Sequence, residues 1–380
     1  MRLLPPAEGE EFLVRKKRIP FTFWPTFRDT RREGLQWTLF ASDPWFLIEN
    51  KVRSLSASAR GEAIAFLLQA RDFYQAATDS NINAAKPLLL YYAFLNLAKC
   101  YIVFQAQAPF GSRVVHGLSE KLPTTPGAIY GDVHILRAMD ATSAFAKFSA
   151  ALGDQLPAAN VANNTVSVRS QDFLAQVLIG HRVWCKGEHI KERFISLQEL
   201  CYRHDPHTKN IWLRARIYKD DLSRFEYSQT ATAKAFNIGG GGAFHGVTCT
   251  EVGDDDRPLL EFELTNKTTY ANRPSEELLP LALLVRRSLW RSVTSYPPYR
   301  KYYIYLPTSS QVLVSQLQSL YLAIYYFGSI TRYKPQNFNE ILESPIGPFV
   351  QEFFTNQPSQ ILYLMASEFV KQEVTKAAIA

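Results

Sequence analysis

Four cysteines spread over 380 residues are too few for a disulfide scaffold, so reduced thiols in a cytoplasmic compartment are expected. No apolar stretch that reads as a signal peptide opens the chain, because Met1-Arg2-Leu3-Leu4 runs straight into Pro5-Pro6. Also missing are a Gly-x-Ser-x-Gly elbow, a His-Glu-x-x-His helix and a dinucleotide-binding glycine fingerprint. Without them, serine-hydrolase, zinc-protease and Rossmann chemistry have no anchor, and no cofactor is expected. Long uninterrupted apolar runs are lacking too. Residues 87–104 are broken by Asn96 and Lys99, which are costly at bilayer depth, and residues 311–330 carry Gln311, Ser315, Gln318 and Ser319 at helical spacing. Both stretches read as core helices, and no membrane is expected as a partner. No internal repeat is visible.

A hydrophobic fraction of 47% and a charged fraction of 20% describe a globular chain. Its length allows two ordinary domains, or one large domain with an insertion. The net charge of +7 is clustered, in Arg15-Lys16-Lys17-Arg18, Arg28, Arg31-Arg32, Arg286-Arg287, Arg291 and Arg300-Lys301. Such clusters suit a phosphate backbone, since each neutralised phosphate releases condensed counterions. A solvated surface face is the more common source of such clusters.

Asp43-Pro44 is a helix start, with an N-cap carboxylate followed by proline in the first turn. Ile64, Leu67, Leu68 and Tyr74 then repeat at the helical period over residues 59–77. Pro87 opens a strongly apolar helix that ends near Phe104. Glycine and proline crowd residues 107–131, and residues 211–217, 247–252, 259–264 and 302–306 alternate as strands do. Residues 191–200 fit a helix, as do 275–293, 311–330 and 359–374. The expected fold is mainly α: a helical bundle formed by the N- and C-terminal segments, with an inserted strand-bearing α+β module. The boundaries expected are 1–125 for the first half of the bundle, 126–272 for the module and 273–380 for the second half.

Three stretches carry a resemblance. They are residues 86–100 (KPLLLYYAFLNLAKC) with Val115-His116-Gly117-Leu118-Ser119 downstream, residues 321–342 with their Arg332-Tyr333 pair, and residues 43–77. In order and spacing they resemble the YaaC-like family over roughly the first 120 and last 100 residues. The resemblance implies no particular activity. More loosely, Tyr91-Tyr92-Ala93 followed by a lysine and a His-Gly loop is similar to the HEPN group of helical domains. That similarity implies an RNase, or a nucleotide-transferring partner, in bacterial antiviral defence. Catalytic members of the group pair an arginine and a histidine a few residues apart. The nearest such spacing here, Arg182–His189, falls in the middle of the chain and not in the late helix.

Tyr92, Asn96 and Lys99 fall on one face of an apolar helix, where a lysine and an amide must find partners. If the late helices pack alongside, Arg332 and Tyr333 join His116 there, with Arg113 just upstream. Lysine and arginine would clamp a phosphate, and histidine would act as donor or general acid. Lys99, His116 and Arg332 are the catalytic candidates, and Tyr92, Asn96, Arg113, Tyr333, Arg300 and Lys301 the binding candidates. A polar network that only ties the bundle together, or a lysine that snorkels to solvent, is the alternative.

Cys185, His189, Cys201, His204 and His207 have spacings reminiscent of zinc ligands, although buried thiols and surface histidines explain them as well. Gly239-Gly240-Gly241-Gly242 reads as a loop, and a backbone anion nest is the sharper alternative. Asp254-Asp255-Asp256 reads as a turn. Tyrosines interleaved with basic residues over 296–305 suit stacking on single-stranded bases, or a half-buried strand with a basic edge.

Two functions follow from different classes. One is a nucleic-acid- or nucleotide-directed effector in bacterial defence, with RNA or single-stranded DNA as partner. The other is a non-catalytic interaction or regulatory subunit that holds another protein. Whether the chain is an enzyme stays open at this level.

Overall fold

In the computed structural model, residues 9–14, 16–19, 21–24, 38–79, 83–158, 164–237, 244–252, 256–299, 301–308 and 310–376 are described. Their helices, in chain order, are α1 (Pro44–Arg53), α2 (Ala57–Asp79), α3 (Lys86–Ala106), α4 (Ala144–Ala151), α5 (Ser170–Gln176) and α6 (Gly180–Glu188). Next come α7 (Lys219–Arg224), α8 (Gln229–Phe236), α9 (Leu278–Leu289), α10 (Gln316–Tyr333), α11 (Pro335–Glu343) and α12 (Gly347–Val370). The chain divides into two units, one made of residues 41–190 and 310–370, the other of residues 1–40, 191–309 and 371–380.

The first unit is built on helices that declare themselves locally. Asp43 caps α1 by accepting from the Trp45 amide at 3.0 Å, with Pro44 in the first turn. Pro87 sits in the opening turn of α3. Ser315 and Gln318 form a capping box that starts α10. Helix α3 is buried nearly all round, from Leu90 and Tyr91 through Val103. Each buried Leu or Phe there contributes about 1.5–3 kcal/mol relative to exposure. It is the one helix among the described residues long and apolar enough to cross a membrane, and 72% of its most apolar window is buried inside the protein, which makes it a core helix. Helix α10 packs against α3, and Gly328 permits the approach: a Cβ there would stand 3.0 Å from the Tyr91 Cβ. Helix α12 adds a buried polar link, in which Tyr101 of α3 donates to Glu368 at 3.1 Å. A small antiparallel sheet completes this unit, in the order Leu118–Lys121, Asp132–Leu136, Thr165–Arg169.

The second unit is organised by an antiparallel sheet in the order Glu10–Glu11, Glu199–Asp205, Asn210–Tyr218, Pro258–Leu264, Phe244–Val252, with Thr268–Thr269 paired to the start of Asn210–Tyr218. Its central strand alternates: Ile211, Leu213, Ala215 and Ile217 face one way, Trp212, Arg214 and Arg216 the other. The second face is an ion-pair array. Arg214 reaches Glu199 at 2.9 Å and Glu261 at 3.0 Å, and Arg216 reaches them at 3.3 and 3.1 Å. A three-stranded antiparallel sheet joins Val293–Tyr296, Lys301–Tyr305 and Phe194–Leu197. Glu373–Thr375 pairs in parallel with Thr38–Phe40.

The expectation of a mainly α protein is therefore overturned: the fold is an α+β mixture with five sheets among the described residues. Strands are not confined to a middle module, since residues 9–40, 293–305 and 373–375 supply them as well, and the helix-rich unit has its own sheet. Many are two to four residues long, too short to show a period of two against the background. Residues 191–200, expected to be helical, instead give the Phe194–Leu197 strand and the start of Glu199–Asp205. Pairing with Lys301–Tyr305 and Asn210–Tyr218 overrides their local preference.

Candidate functional site

The His-Gly element lies on the segment between α3 and the Leu118–Lys121 strand. Its backbone is fixed by the N-terminus of α4: the Val115 amide donates to the Thr142 carbonyl at 2.9 Å, and the Ala144 amide donates to the Val115 carbonyl at 2.7 Å. Gly117 has a φ of +74° and lies so close to Ser143 that a Cβ would fall on the serine side chain. Only glycine fits this close approach in a left-handed conformation. The turn thereby sets the direction of His116, whose Nδ1 is bonded by the Tyr91 hydroxyl of α3. Tyr325 of α10 packs edge-on to Tyr91, with ring centres 5.4 Å apart. The Tyr325 hydroxyl donates to the Glu120 carboxylate, with the Leu118 carbonyl 3.3 Å away.

Burial, and then the tyrosines and Glu120 around it, push the Tyr91 hydroxyl far above its ordinary pKa. The same happens to Tyr325 through burial and its bond to Glu120. Both remain protonated and act as donors. His116 shifts the other way: burial lowers its pKa first, then Lys99 and Arg332, while Glu120 opposes them. The imidazole is thus neutral at neutral pH. Where Tyr91 donates to Nδ1, the ring proton falls on Nε2. No hydrogen-bond partner meets Nε2 among the described residues, and the ring is half-buried. Two cations share its electrostatic environment.

Those cations are Lys99 and Arg332. Burial lowers the pKa of Lys99, whose Nζ sits 5.5 Å from the Phe66 ring centre of α2. Arg332 is exposed at the end of α10, with its guanidinium 5.0 Å from the ring centre of Tyr333. Neither makes an ion pair among the described residues. Lys99, His116 and Arg332 therefore share one electrostatic environment without hydrogen-bonding to one another.

The remaining candidates are placed differently. Tyr92 packs on Phe73 of α2, with ring centres 5.5 Å apart, and Asn96 is buried. Arg113 and Tyr333 are exposed. Lys301 lies in the other unit, and Arg300 falls outside the described residues, as do Gly239–Gly242 and Asp254-Asp255. Tyr91, Glu120 and Tyr325 did not stand out in the sequence, because aromatic residues in apolar helices look like core. The adjacent pairs Tyr91-Tyr92 and Tyr325-Tyr326, in helices otherwise free of charge at those turns, were the available signal.

The zinc-like group does not assemble along its spacings. Cys185 and His189 belong to one unit, and Cys201, His204 and His207 to the other. Cys201 and His204 lie three apart on one strand and so point to opposite faces. Burial raises the Cys201 thiol to about 11. Glu11, Glu199 and Cys201 do gather closely enough to hold an ion. Arg18 at 2.6 Å, Arg214 and Arg216 already neutralise Glu199, and Arg18 also pairs with Glu11.

Comparison with known proteins gives one match. The model of the family described as YaaC-like Protein covers residues 30–369, so the chain belongs to the YaaC-like family. No curated protein and no solved structure matches it. The looser likeness to HEPN domains finds no support in these comparisons.

Proposed function

For this member of the YaaC-like family, we propose that the polar group around His116 binds the phosphate of a nucleotide or of single-stranded nucleic acid. The observation that carries this reading is that His116 Nε2 meets no partner among the described residues and shares its electrostatic environment with two cations that lack carboxylate partners there. A phosphate would accept from the imidazole and offset both charges. The inferred tautomer makes His116 a donor rather than a base, so the site reads first as a place of binding. A setting in bacterial defence is carried only by the HEPN likeness. Cytoplasmic placement accords with the low cysteine content and with Cys100 and Cys201, both buried and outside any disulfide.

The test is binding of labelled single-stranded RNA and DNA over a salt series. Affinity should fall steeply with salt, and Lys99→Met and Arg332→Ala should each reduce the log–log slope by about one. No binding at low salt, or slopes unchanged in both variants, would remove the reading.

Phe46 and Leu68, at 67% and 53% exposure on α1 and α2, favour a second reading as an interaction subunit. A tagged pull-down that returns no stable partner, or returns the same one with Phe46→Ser, counts against it.

A further inference from the structure

The tyrosine-rich stretch 296–305 plays no part in the His116 reading, and in the sheet-organised unit it folds as one side of a hairpin with an unusual face. Cross-strand partners share a face, and successive residues along a strand alternate between faces. Tyr296 stands opposite Lys301, Thr294 opposite Tyr303, and Tyr303 opposite Ser196 of the neighbouring strand. Tyr296, Lys301, Tyr303 and Ser196 therefore lie on one face, while Tyr302 and Ile304 belong to the other and are buried. The first face is closed at its Phe194 and Tyr305 end and open at its Lys301 end. At the open end the Pro297–Tyr299 turn carries Tyr299 at 66% exposure. Its ring is backed by Tyr296, with centres 5.0 Å apart and planes 27° apart. The turn itself is held: the ring of Pro297 fixes φ, and the Thr375 hydroxyl donates to the Pro297 carbonyl. Tyr299 is thus a platform ordered in advance, which lowers the cost of binding to it. Lys301, exposed on the same face, makes no ion pair among the described residues.

We propose that this face is a landing surface for single-stranded nucleic acid: a base stacks on the outer side of Tyr299, and a neighbouring phosphate meets Lys301. The occupant follows from the combination of the two groups. A buttressed phenol ring receives any base, and an unpaired ammonium beside it complements the charge that each nucleotide carries. A proline-rich peptide would also pack on paired tyrosines, but it brings no anion for Lys301. A duplex keeps its bases stacked on one another and has none to offer Tyr299. The surface and the His116 group are argued from different residues, and neither reading needs the other.

The experiment is a fluorescence-anisotropy titration of the full-length protein against a labelled oligothymidylate about ten nucleotides long, over a salt series, with its duplex for comparison. The single strand should bind more tightly than the duplex. Tyr299→Ala should weaken it about tenfold at every salt concentration without altering the log–log slope, because the ring carries no charge. Tyr299→Phe should bind like the wild type, since stacking needs the ring and not the hydroxyl. Lys301→Met should lower the slope by about 0.7–1. Both positions are exposed, and a circular-dichroism melt confirms that the variants fold. Equal binding of strand and duplex, an affinity untouched by Tyr299→Ala, or a proline-rich peptide that binds where the oligonucleotide does not, overturns the proposal. Affinity that responds to Lys99→Met and Arg332→Ala but to neither Tyr299→Ala nor Lys301→Met removes this surface and leaves the His116 reading standing. The reverse pattern removes the His116 reading and supports the surface.

Discussion

Gly117→Ala tests whether the turn that aims His116 depends on glycine. The new methyl group would meet Ser143, whose Cα alone lies 3.0 Å from the position it must take. Overpacking of this kind costs about 1–3 kcal/mol. The φ of +74° adds about 1–2 kcal/mol for a residue with a Cβ. Loss of glycine's freedom in the unfolded chain returns about 0.4–1 kcal/mol. The net expectation is a destabilisation of about 1–5 kcal/mol, or a fall in Tm of roughly 2–20 °C for a unit of this size. Urea and thermal unfolding followed by circular dichroism measure it. Adding Ser143→Gly removes the obstructing side chain. As an N-cap of α4, glycine costs only about a few tenths of a kcal/mol relative to serine. The double variant should therefore recover about half of the loss, the clash but not the backbone strain. A single variant as stable as the wild type, or a double variant no better than the single one, refutes the reasoning.

Arg332→Ala removes one of the two cations that hold down His116, so its imidazole pKa should rise in an NMR titration; an unmoved titration would break the link between them. Because the folded pKa lies below the unfolded value of about 6.5, the unfolded chain takes the proton first as pH falls. His116 thus gives its full stabilising contribution above that value, and the contribution is lost as pH falls towards the folded pKa. His116→Gln should flatten stability against pH over that interval, and an unaltered curve would assign the acid sensitivity elsewhere. Tyr101→Phe takes a donor from the buried Glu368 carboxylate and should cost about 1–3 kcal/mol in urea unfolding, whereas a neutral outcome would show that this bond contributes nothing.

What could be read in the sequence was whatever a few neighbouring residues decide. Asp43-Pro44 starts a helix through its own cap, Pro87 sits in an opening turn, and the alternation over 211–217 survives as the central strand. What could not be read was set by partners far away in the chain. Phe194–Leu197 is a strand because Lys301–Tyr305 pairs with it, and Glu10–Glu11 because Glu199–Asp205 does. In the site, Lys99 and Arg332 stood out because charge is rare in apolar helices and His116 through its His-Gly element, and the three share one electrostatic environment. Tyr91 and Tyr325 did not, since a hydroxyl on a core aromatic becomes informative only when its partner is known. Tyr92 and Asn96 were chosen by helical phase, but α2 covers Tyr92 with Phe73.

The parallel pairing of Glu373–Thr375 with Thr38–Phe40 has a consequence for synthesis. A ribosome adding about 5–20 residues per second makes the earlier strand roughly 20–70 s before its mate. During that interval Thr38–Phe40 is an open edge, and Tyr302 has no Glu373 to receive its hydroxyl. A nascent chain can pair Val293–Tyr296 with Lys301–Tyr305 early, but it gains the buried Tyr302–Glu373 bond only when the later strand arrives, so that bond belongs to a late stage of folding.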